Sequence, residues 1–261
     1  MYAKKEIRDF TISSNQRISE EHFVIRLQSD RALPVMQPGQ FAEVLVDKNQ
    51  QSYLRRPLSI HQVDDNHQSI DFLVQIVGSG THTLSEMKPG ETLNLVFPLG
   101  NSFGIPHGLS TPLLIGGGCG VAPLLLLARK LADQKIRPSI LIGCRNREHL
   151  LEIDKYKQFG DVYTITEDGS VGEKGFVIHH SLLWKSDIQF DKIYTCGPDP
   201  MMQAIGKYAR KRDIPCEVSL ENTMACGIGA CLSCVTETTE GHKCVCTDGP
   251  VFNVNDLKWP I

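Results

Sequence analysis

The sequence has no apolar stretch long enough to cross a membrane. Its longest apolar run, residues 113–128, contains four glycines and one proline, and it is shorter than the ~20 residues that a membrane-spanning helix requires. Charged residues near the start, among them Lys4, Lys5 and Glu6, occupy the place of the apolar region of a secretory signal peptide. We therefore expect a soluble, cytoplasmic protein.

The sequence also has no excess of positive charge. It contains 27 lysines and arginines against 30 aspartates and glutamates, for a net charge of −3. A nucleic-acid-binding surface needs a basic patch, and both signs of charge are spread along this chain, so we expect no nucleic-acid partner. The nine histidines form no H-x-E or H-E-x-x-H motif, so the usual signatures of zinc deaminases and zinc peptidases are missing.

With 261 residues, of which 41% are hydrophobic and 22% charged, the chain is long enough for two domains and a small appendage. Residues 98–106 are dense in turn-forming residues and read as a linker. The predicted domains are 1–106, 107–218 and 219–261. The predicted fold class is a β-barrel plus α/β: an antiparallel barrel, a parallel-sheet domain and a small cysteine-rich C-terminal domain.

The most informative pattern is a group of cysteines near the C-terminus. Cys226, Cys231 and Cys234 have the spacing C-x4-C-x2-C, and Cys246 follows later. This is the ligand spacing of plant-type [2Fe–2S] proteins. The glycines between the first two cysteines suit such a loop, because glycine adopts backbone angles closed to other residues and leaves room between the main chain and the cluster.

Cys244 competes with Cys246 for the fourth ligand position. We favour Cys246 because the turn residues 248–250 follow it directly and can present it inward. A structural zinc is an alternative, although zinc sites usually have two separate C-x2–4-C pairs, whereas here the two spacings share Cys231. A disulfide framework is disfavoured, since nine cysteines is an odd number and nothing indicates secretion.

Residues 1–106 contain short runs rich in β-branched and aromatic residues, separated by Pro-Gly and Asp/Asn clusters. The predicted strands are 5–13, 21–28, 41–46 and 70–77. Several strands at such short spacing predict a small barrel or sandwich.

Two segments of this half carry groups suited to a ligand. In residues 56–59, Arg56 can pair with a phosphate and Ser59 can donate a hydrogen bond. The alternative is an exposed pair of arginines that borders a strand and binds no ligand. In residues 78–85, two glycines separate a strand from a helix, and a helix N-terminus can seat a pyrophosphate. A plain glycine-rich turn is the alternative there.

The second half opens with a buried strand, a glycine turn and an apolar helix at residues 111–131. The turn contains Gly116, Gly117, Gly118 and Gly120. It resembles a dinucleotide-binding fingerprint, with Pro123 at the place of the third glycine. The next strand, 139–145, lacks the acidic residue that holds a ribose in the Rossmann pattern. The domain therefore binds a nucleotide by a related geometry, or binds none.

Further strands at 162–166, 192–196 and 217–220 alternate with helices, which predicts a parallel sheet. Ligands of such sheets bind at the carboxyl ends of the strands. We expect four residues at that edge: Gly118, Gly120, Cys196 and Gly197. We expect the thiol of Cys196 to serve in packing, because no histidine with a plausible partner is evident nearby to activate it. No catalytic side chain is predicted.

In their order along the chain, these segments resemble the ferredoxin-reductase superfamily, in which a flavin-binding β-barrel precedes a pyridine-nucleotide domain. The segments 219–222, 224–231 and 246–252 resemble the electron-transfer subunits of two-component, B-type dihydroorotate dehydrogenases of pyrimidine synthesis. The resemblance covers nearly the whole chain, and the cysteine motif is its most specific part.

The resemblance implies FAD and a [2Fe–2S] cluster as cofactors and NAD as a substrate. The flavin motif corresponds to Arg56, Pro57, Leu58 and Ser59, with Leu58 in place of the usual aromatic residue. The FAD would be lined by Leu73, Val74 and Gln75, and its pyrophosphate would be held by Gly80 and Thr81. NADH would lie with its nicotinamide over the flavin, held by Gly116, Gly117, Gly118, Gly120, Cys196 and Gly197. The cluster would be carried by Cys226, Cys231, Cys234 and Cys246.

The resemblance also implies a partner. An FMN-containing catalytic subunit would oxidise dihydroorotate, and two copies of each subunit would form a heterotetramer. Another reductase of the superfamily, serving a hydrogenase, sulfide, transhydrogenase or oxygenase complex, is an alternative, as is a zinc-containing nucleotide-binding module without turnover. Arg145 and Arg147 could meet the 2′-phosphate of NADP, whereas the resemblance favours NAD.

Overall fold

The computed structural model describes residues 4–47, 53–64, 66, 68–106, 108, 110–185 and 189–259. The chain divides into two units. Met1–Ser102, Asn222–Thr236 and Lys243–Pro250 form the first unit, and Phe103–Glu221, Glu237–His242 and Val251–Ile261 form the second. The outermost residues of the predicted first and third domains, 1–3 and 260–261, lie outside the described residues.

The first unit contains an antiparallel sheet and one helix. Its strands are β1 (Glu6–Arg17), β2 (His22–Gln28), β3 (Phe41–Val44), β4 (Arg56–Ser59), β5 (Gln62–Val63), β6 (Ser69–Gln75) and β7 (Thr92–Leu99), and its helix is α1 (Ser79–Glu86). The strand order is β4-β3-β7-β1-β2-β6-β5. Each neighbouring pair is antiparallel.

Side-chain periodicity explains how this sheet forms its core. In β1, Arg8, Phe10 and Ile12 are buried and the residues between them are exposed, as the two-residue period of a strand requires. The predicted strands at 5–13, 21–28, 41–46 and 70–77 correspond to β1, β2, β3 and β6. Strand β7, which pairs with β1 and β3, was not predicted, and it includes the first two residues of the predicted linker.

The second unit is built mainly from alternating strands and helices. In chain order they are β8 (Pro112–Gly117), α2 (Ala122–Asp133), β9 (Ser139–Cys144), α3 (Ile153–Lys157), β10 (Asp161–Thr166), β11 (Glu173–Lys174), β12 (Lys192–Cys196), α4 (Asp199–Lys211) and β13 (Cys216–Ser219). Of the three later strands, β16 (Val251–Asn253) belongs to this unit, whereas β14 (Val235–Thr238) and β15 (Gly241–Cys244) each have residues in both units. Strands β14 and β15 form a separate two-stranded sheet.

The main sheet of this unit has the order β11-β10-β9-β8-β12-β13-β16. All its pairs are parallel except β13 with β16, where Ser219 lies opposite Val251. Strand β8 is buried throughout, as a central strand of a covered parallel sheet should be. Pro123 stands in the first turn of α2, where its missing N–H leaves no hydrogen bond unmade.

The predicted fold class is confirmed, with an antiparallel sheet in the first unit and a parallel sheet flanked by helices in the second. Among the residues described, no helix combines the length and the apolar character needed to span a bilayer.

Candidate iron–sulfur and nucleotide sites

The cysteine loop, residues 226–234, bends at two glycines with left-handed backbone angles. Gly227 has φ 66° and Gly229 has φ 81°, in a region that other residues rarely adopt. Leu232 also has a positive φ, 59°. This angle is unusual for a branched residue, and such strain is typical of functional loops.

Main-chain N–H groups of the cysteine loop point at cysteine sulfurs. Cys226 Sγ accepts hydrogen bonds at 3.4, 3.3 and 3.4 Å from the amides of Ile228, Ala230 and Cys231. Cys246 Sγ accepts one at 3.2 Å from the amide of Gly229, and Cys234 Sγ accepts one at 3.4 Å from the amide of Cys246. N–H···S bonds stabilise thiolate charge around an iron–sulfur centre. The donor set therefore fits a [2Fe–2S] cluster.

The segment after β15 presents Cys246 to this loop. Cys246 is 1% exposed, whereas Cys244 is half-buried. The amides of Thr247 and Asp248 donate to the Cys244 carbonyl at 3.1 and 2.8 Å, and the Cys244 amide donates to Asp248 Oδ2 at 2.7 Å. This turn and the hydrogen bond from the Gly229 amide to Cys246 Sγ support Cys246 as the fourth ligand. The assignment of that ligand stays a prediction.

The same turn is attached to the end of β7. The Asn101 amide donates to the Gly249 carbonyl at 2.6 Å, and Asn101 Nδ2 donates to the Asp248 carbonyl at 2.7 Å. A Cβ on Gly100 would lie 2.4 Å from Pro250 Cδ. The cysteine segments and the antiparallel sheet therefore belong to one packed unit.

None of the nine cysteines, all of which lie in the described part of the chain, forms a disulfide bond. Hydrogen bonds to Ser233 and Cys226 lower the pKa of Cys231 to about 6, while burial raises the pKa of Cys246. Cys231 is thus readily available as a thiolate, and Cys246 becomes one when a metal displaces its proton.

Within the part of the chain that the structure describes, no three Cys, His, Asp or Glu side chains converge on a single metal position.

One residue that the sequence analysis did not single out lies against the cysteine loop. Glu43 of β3 is fully buried, with 0% exposure. A Cβ on Gly227 would lie 2.6 Å from Glu43 Cγ, so the loop's main chain packs directly on this side chain. The sequence contains a signal for it, since Glu43 is the one charged residue in the predicted strand 41–46.

The predicted flavin motif forms strand β4. Arg56, Pro57, Leu58 and Ser59 are all half-buried, and Ser59 lies opposite Phe41 in β3. Leu73 and Val74 in β6 are buried, and Gln75 at its end is half-buried. Strands β4 and β6 contact each other. The structure thus brings together two of the segments that the prediction assigns to FAD.

Gly80 and Thr81 lie buried in the first turn of α1. The Thr81 hydroxyl accepts hydrogen bonds from the amides of Val77 and Gly78 at 2.9 and 3.2 Å, and it donates to the Gly78 carbonyl at 3.1 Å. Because the hydroxyl is engaged within the turn, the main-chain N–H groups of the helix start are better suited to a pyrophosphate.

The predicted nucleotide-binding glycines meet at the carboxyl edge of the parallel sheet. A Cβ on Gly120 would lie 2.5 Å from both N and Cα of Gly197. A Cβ on Gly197 would lie 3.0 Å from Gly117 Cα, and one on Gly117 would lie 2.9 Å from Pro198 Cδ. The turns after β8 and β12 are therefore in main-chain contact, which only glycine permits.

Two further side chains support this edge. Tyr156 of α3 is fully buried, and its hydroxyl donates to the Val121 carbonyl at 2.8 Å, at the end of the glycine turn. Sequence analysis missed this contact, because nothing local links residue 156 to residue 121. Burial raises the pKa of Cys196 well above its ordinary value. Cys196 therefore stays a neutral thiol, as expected for packing rather than nucleophilic attack.

The edge beyond β9 and β10 carries the groups predicted to distinguish NAD from NADP. Arg147 Nη2 donates to the Ser170 carbonyl at 2.9 Å, so its guanidinium is already engaged. Asp168 Oδ1 accepts hydrogen bonds from the amide and the hydroxyl of Ser170 at 2.9 and 2.7 Å. These bonds hold the pKa of Asp168 below its usual range. The Asp168 carboxylate and the Arg147 guanidinium therefore both hydrogen-bond to Ser170.

Family sequence models match three parts of the chain. Residues 9–103 match an oxidoreductase FAD-binding domain, residues 114–207 match an oxidoreductase NAD-binding domain, and residues 221–258 match the iron–sulfur cluster binding domain of dihydroorotate dehydrogenase B. These matches confirm the predicted FAD, NAD and cluster.

Curated relatives match along almost their whole length. The electron transfer subunit of dihydroorotate dehydrogenase B (NAD(+)) from Fusobacterium nucleatum is 34% identical over 97% of this chain and 99% of its own. Its counterpart from Caldanaerobacter subterraneus subsp. tengcongensis is 39% identical over 92% of this chain and 94% of its own.

Solved structures share the fold. The NADH-dependent reduced ferredoxin-NADP oxidoreductase, studied for flavin-based electron bifurcation, is 29% identical with a TM-score of 0.86, covering 96% of this chain and 90% of that one. The ferredoxin reductase of a carbazole 1,9a-dioxygenase is 19% identical with a TM-score of 0.70, covering 81% and 67%, a likeness of fold alone. Because its full-length curated relatives share one name and its three domains match in order, this chain belongs to the family of dihydroorotate dehydrogenase B electron transfer subunits.

Proposed function

We propose that this chain passes electrons from a dihydroorotate-oxidising, FMN-containing catalytic subunit through a [2Fe–2S] cluster and FAD to NAD⁺, in pyrimidine biosynthesis. A nicotinamide exchanges two electrons as a hydride and an iron–sulfur cluster exchanges one at a time, so a flavin is required between them. The observation that carries the proposal is the set of N–H···S bonds around Cys226, Cys234 and Cys246.

The proposed division of labour follows the three predicted domains. Residues 1–106 bind FAD, with β4 and the end of β6 at the ring and the start of α1 at the pyrophosphate. Residues 107–218 bind NAD through the glycine turn, Gly116 to Gly120, and through Cys196 and Gly197. Residues 219–261 hold the cluster through Cys226, Cys231, Cys234 and Cys246. In this proposal the residues of the chain bind, orient and insulate the cofactors.

Selection of NAD over NADP is proposed to rest on Asp168. Its carboxylate and the Arg147 guanidinium both hydrogen-bond to Ser170 at the edge beyond β9 and β10, where the ribose end of a dinucleotide binds in such folds. A 2′-phosphate would meet the negative charge of Asp168 there. NADH should therefore be the preferred coenzyme.

The partner subunit is proposed to cover the cysteine loop. Ile228 and Leu232 are 51% and 62% exposed, and both lie within residues 226–234, beside the predicted ligands. Exposed apolar side chains beside a redox centre fit a protein interface that excludes water. A heterotetramer with two copies of each subunit, located in the cytoplasm, completes the proposal.

The experiment is a visible spectrum of the purified chain with iron and sulfide analysis, before and after anaerobic NADH. Flavin bands and broad iron–sulfur absorption that both bleach with NADH are expected. Adding the FMN subunit and dihydroorotate should then reduce NAD⁺. A colourless, zinc-containing protein would contradict the proposal.

A second candidate is a subunit of an electron-bifurcating oxidoreductase, favoured by the 29% identical structure with a TM-score of 0.86. Co-purification decides between the two. An FMN-containing partner that oxidises dihydroorotate supports the first, whereas a partner active with ferredoxin and NADP supports the second.

A further inference from the structure

Glu43 is a buried carboxyl without a hydrogen bond. Its side chain is 0% exposed, and neither Oε1 nor Oε2 has a hydrogen-bond partner among the described residues. Burying a carboxylate without a hydrogen-bond partner is strongly unfavourable. A group of this kind calls for a functional explanation.

The carboxyl lies directly under the cysteine loop. A Cβ on Gly227 would lie 2.6 Å from Glu43 Cγ, 3.2 Å from Glu43 Oε1 and 2.9 Å from Leu99 Cδ1. Gly227 directly follows the predicted ligand Cys226. Glycine at this position thus lets the main chain of the cysteine loop approach the carboxyl as closely as packing allows.

The neighbouring cations do not hydrogen-bond to this carboxyl. Arg55 Nη1 donates to the main-chain carbonyls of Glu43 and Asn94 at 3.2 and 3.0 Å, and Arg55 Nη2 donates to Asn94 Oδ1 at 2.6 Å. Arg56 donates to the carbonyls of Leu54 and Arg55. On β7, Glu43 lies opposite Val96, which does not titrate.

Burial raises the pKa of Glu43 to about 7, against the attraction of Arg55 and Arg56 and with a smaller contribution from the Cys231 thiolate in the same direction. The charged groups that act on the carboxyl are Arg55, directly before β4, Arg56 in β4, and Cys231 in the cysteine loop. The carboxyl is therefore ionised in mildly alkaline solution and neutral in mildly acidic solution.

We propose that Glu43 sets the reduction potential of the cluster held by the cysteine loop, lowering it whenever the carboxyl carries its charge. The inference rests on the proposed function, because it requires the cluster. A buried negative charge is poorly screened by salt. It therefore favours the oxidised cluster, which is the less negative of the two states.

The coupling between the charge of Glu43 and the charge of the cluster also works in the opposite direction. When one electron enters the cluster, the added negative charge favours transfer of one proton from water to a Glu43 carboxylate oxygen. Glu43 would thus act on the cluster through its charge, and it is not proposed as a ligand. As pH rises through about 7, the cluster's potential should fall, by at most ~59 mV per pH unit for a one-electron couple.

The test is an EPR-monitored redox titration of the cluster in the full chain loaded with FAD and iron–sulfur, at about pH 5.5 and about pH 8.5. Glu43→Gln keeps the shape and removes the charge. At the higher pH the equilibrium constant for reduction of the cluster should be about tenfold larger in Glu43→Gln than in the wild type. This corresponds to a potential that is more positive by ~59 mV. At the lower pH the two potentials should converge. Glu20→Gln, the same change at an exposed site between β1 and β2, should leave the potential unchanged.

Equal potentials of Glu43→Gln and wild type at the higher pH would overturn the inference. A wild-type potential that does not change between the two pH values would overturn it too, and that measurement needs no variant. Should Glu43→Gln fail to load iron, Glu43→Met supplies a neutral side chain of similar volume. Absence of a reduced-cluster EPR signal in the wild type would instead refute the proposed function.

Discussion

Gly120 and Gly197 touch through their main chains, since a Cβ added to Gly120 would lie 2.5 Å from Gly197 Cα. The turns after β8 and β12 therefore depend on the absence of a side chain at residue 120. This contact joins the two nucleotide-binding segments that the sequence predicts at the carboxyl edge of the sheet.

Gly120→Ala should separate these two turns. Overpacking of this kind destabilises a protein by about 1–3 kcal/mol, and the rate of flavin reduction by NADH should fall while iron content is retained. Thermal unfolding and stopped-flow reduction measure the two effects. Gly90→Ala, just before β7 and outside the nucleotide-binding segments, is the matched control, because its Cβ meets nothing within 4 Å and only its φ of 91° is unfavourable, by about 1 kcal/mol. Equal losses in both variants would contradict the contact.

Cys226→Ser should remove the cluster and abolish electron transfer to the partner, while NADH still bleaches the flavin. The reason is that Cys226 Sγ accepts three main-chain hydrogen bonds at the centre of the loop. Iron analysis and anaerobic flavin spectra measure both properties. Cys244→Ala should keep its iron if Cys246 is the fourth ligand. Loss of NADH reduction in Cys226→Ser would show that the cluster also holds the fold together.

Tyr156→Phe should remove a hydrogen bond that supports the end of the glycine turn, without changing any residue of that turn. The variant leaves the buried Val121 carbonyl without its 2.8 Å donor, which destabilises by about 1–3 kcal/mol. We expect a lower denaturation midpoint and a higher KM for NADH. Tyr163→Phe, on the half-exposed part of β10, serves as the control. A midpoint equal to that of the wild type would mean that the hydroxyl contributes nothing to stability.

NADH should exceed NADPH in kcat/KM for flavin reduction by at least about tenfold, which corresponds to ~1.4 kcal/mol. In the proposed complex the Asp168 carboxylate, whose pKa is lowered by hydrogen bonds from Ser170, repels a 2′-phosphate. Asp168→Asn should therefore raise kcat/KM for NADPH more than for NADH. Asp213→Asn makes the same charge change on the turn after α4 and should leave the ratio unaltered. Equal efficiency of the two coenzymes in the wild type would reject this account.

Local patterns predicted most of the elements. The predicted strands 5–13 and 70–77 correspond to β1 and β6, and the segment 78–85 corresponds to α1, Ser79–Glu86. These elements could be predicted because side-chain periodicity, turn residues and glycines act over a few neighbouring residues. Strand β7 was missed, although it completes the antiparallel sheet between β1 and β3. Its sequence, Thr92–Leu99, contains Pro98, and a proline argues against a central strand.

The sequence by itself determined the cysteine spacing, the glycine turns and the order of the three domains, because each of these depends on residues that are neighbours along the chain. Only the tertiary structure decided that Glu43 lies beneath Gly227, that Tyr156 holds Val121, and that β16 pairs with β13. These contacts join residues far apart in sequence. They depend on strand order and register, which are set by packing of the whole unit and leave no local pattern to read.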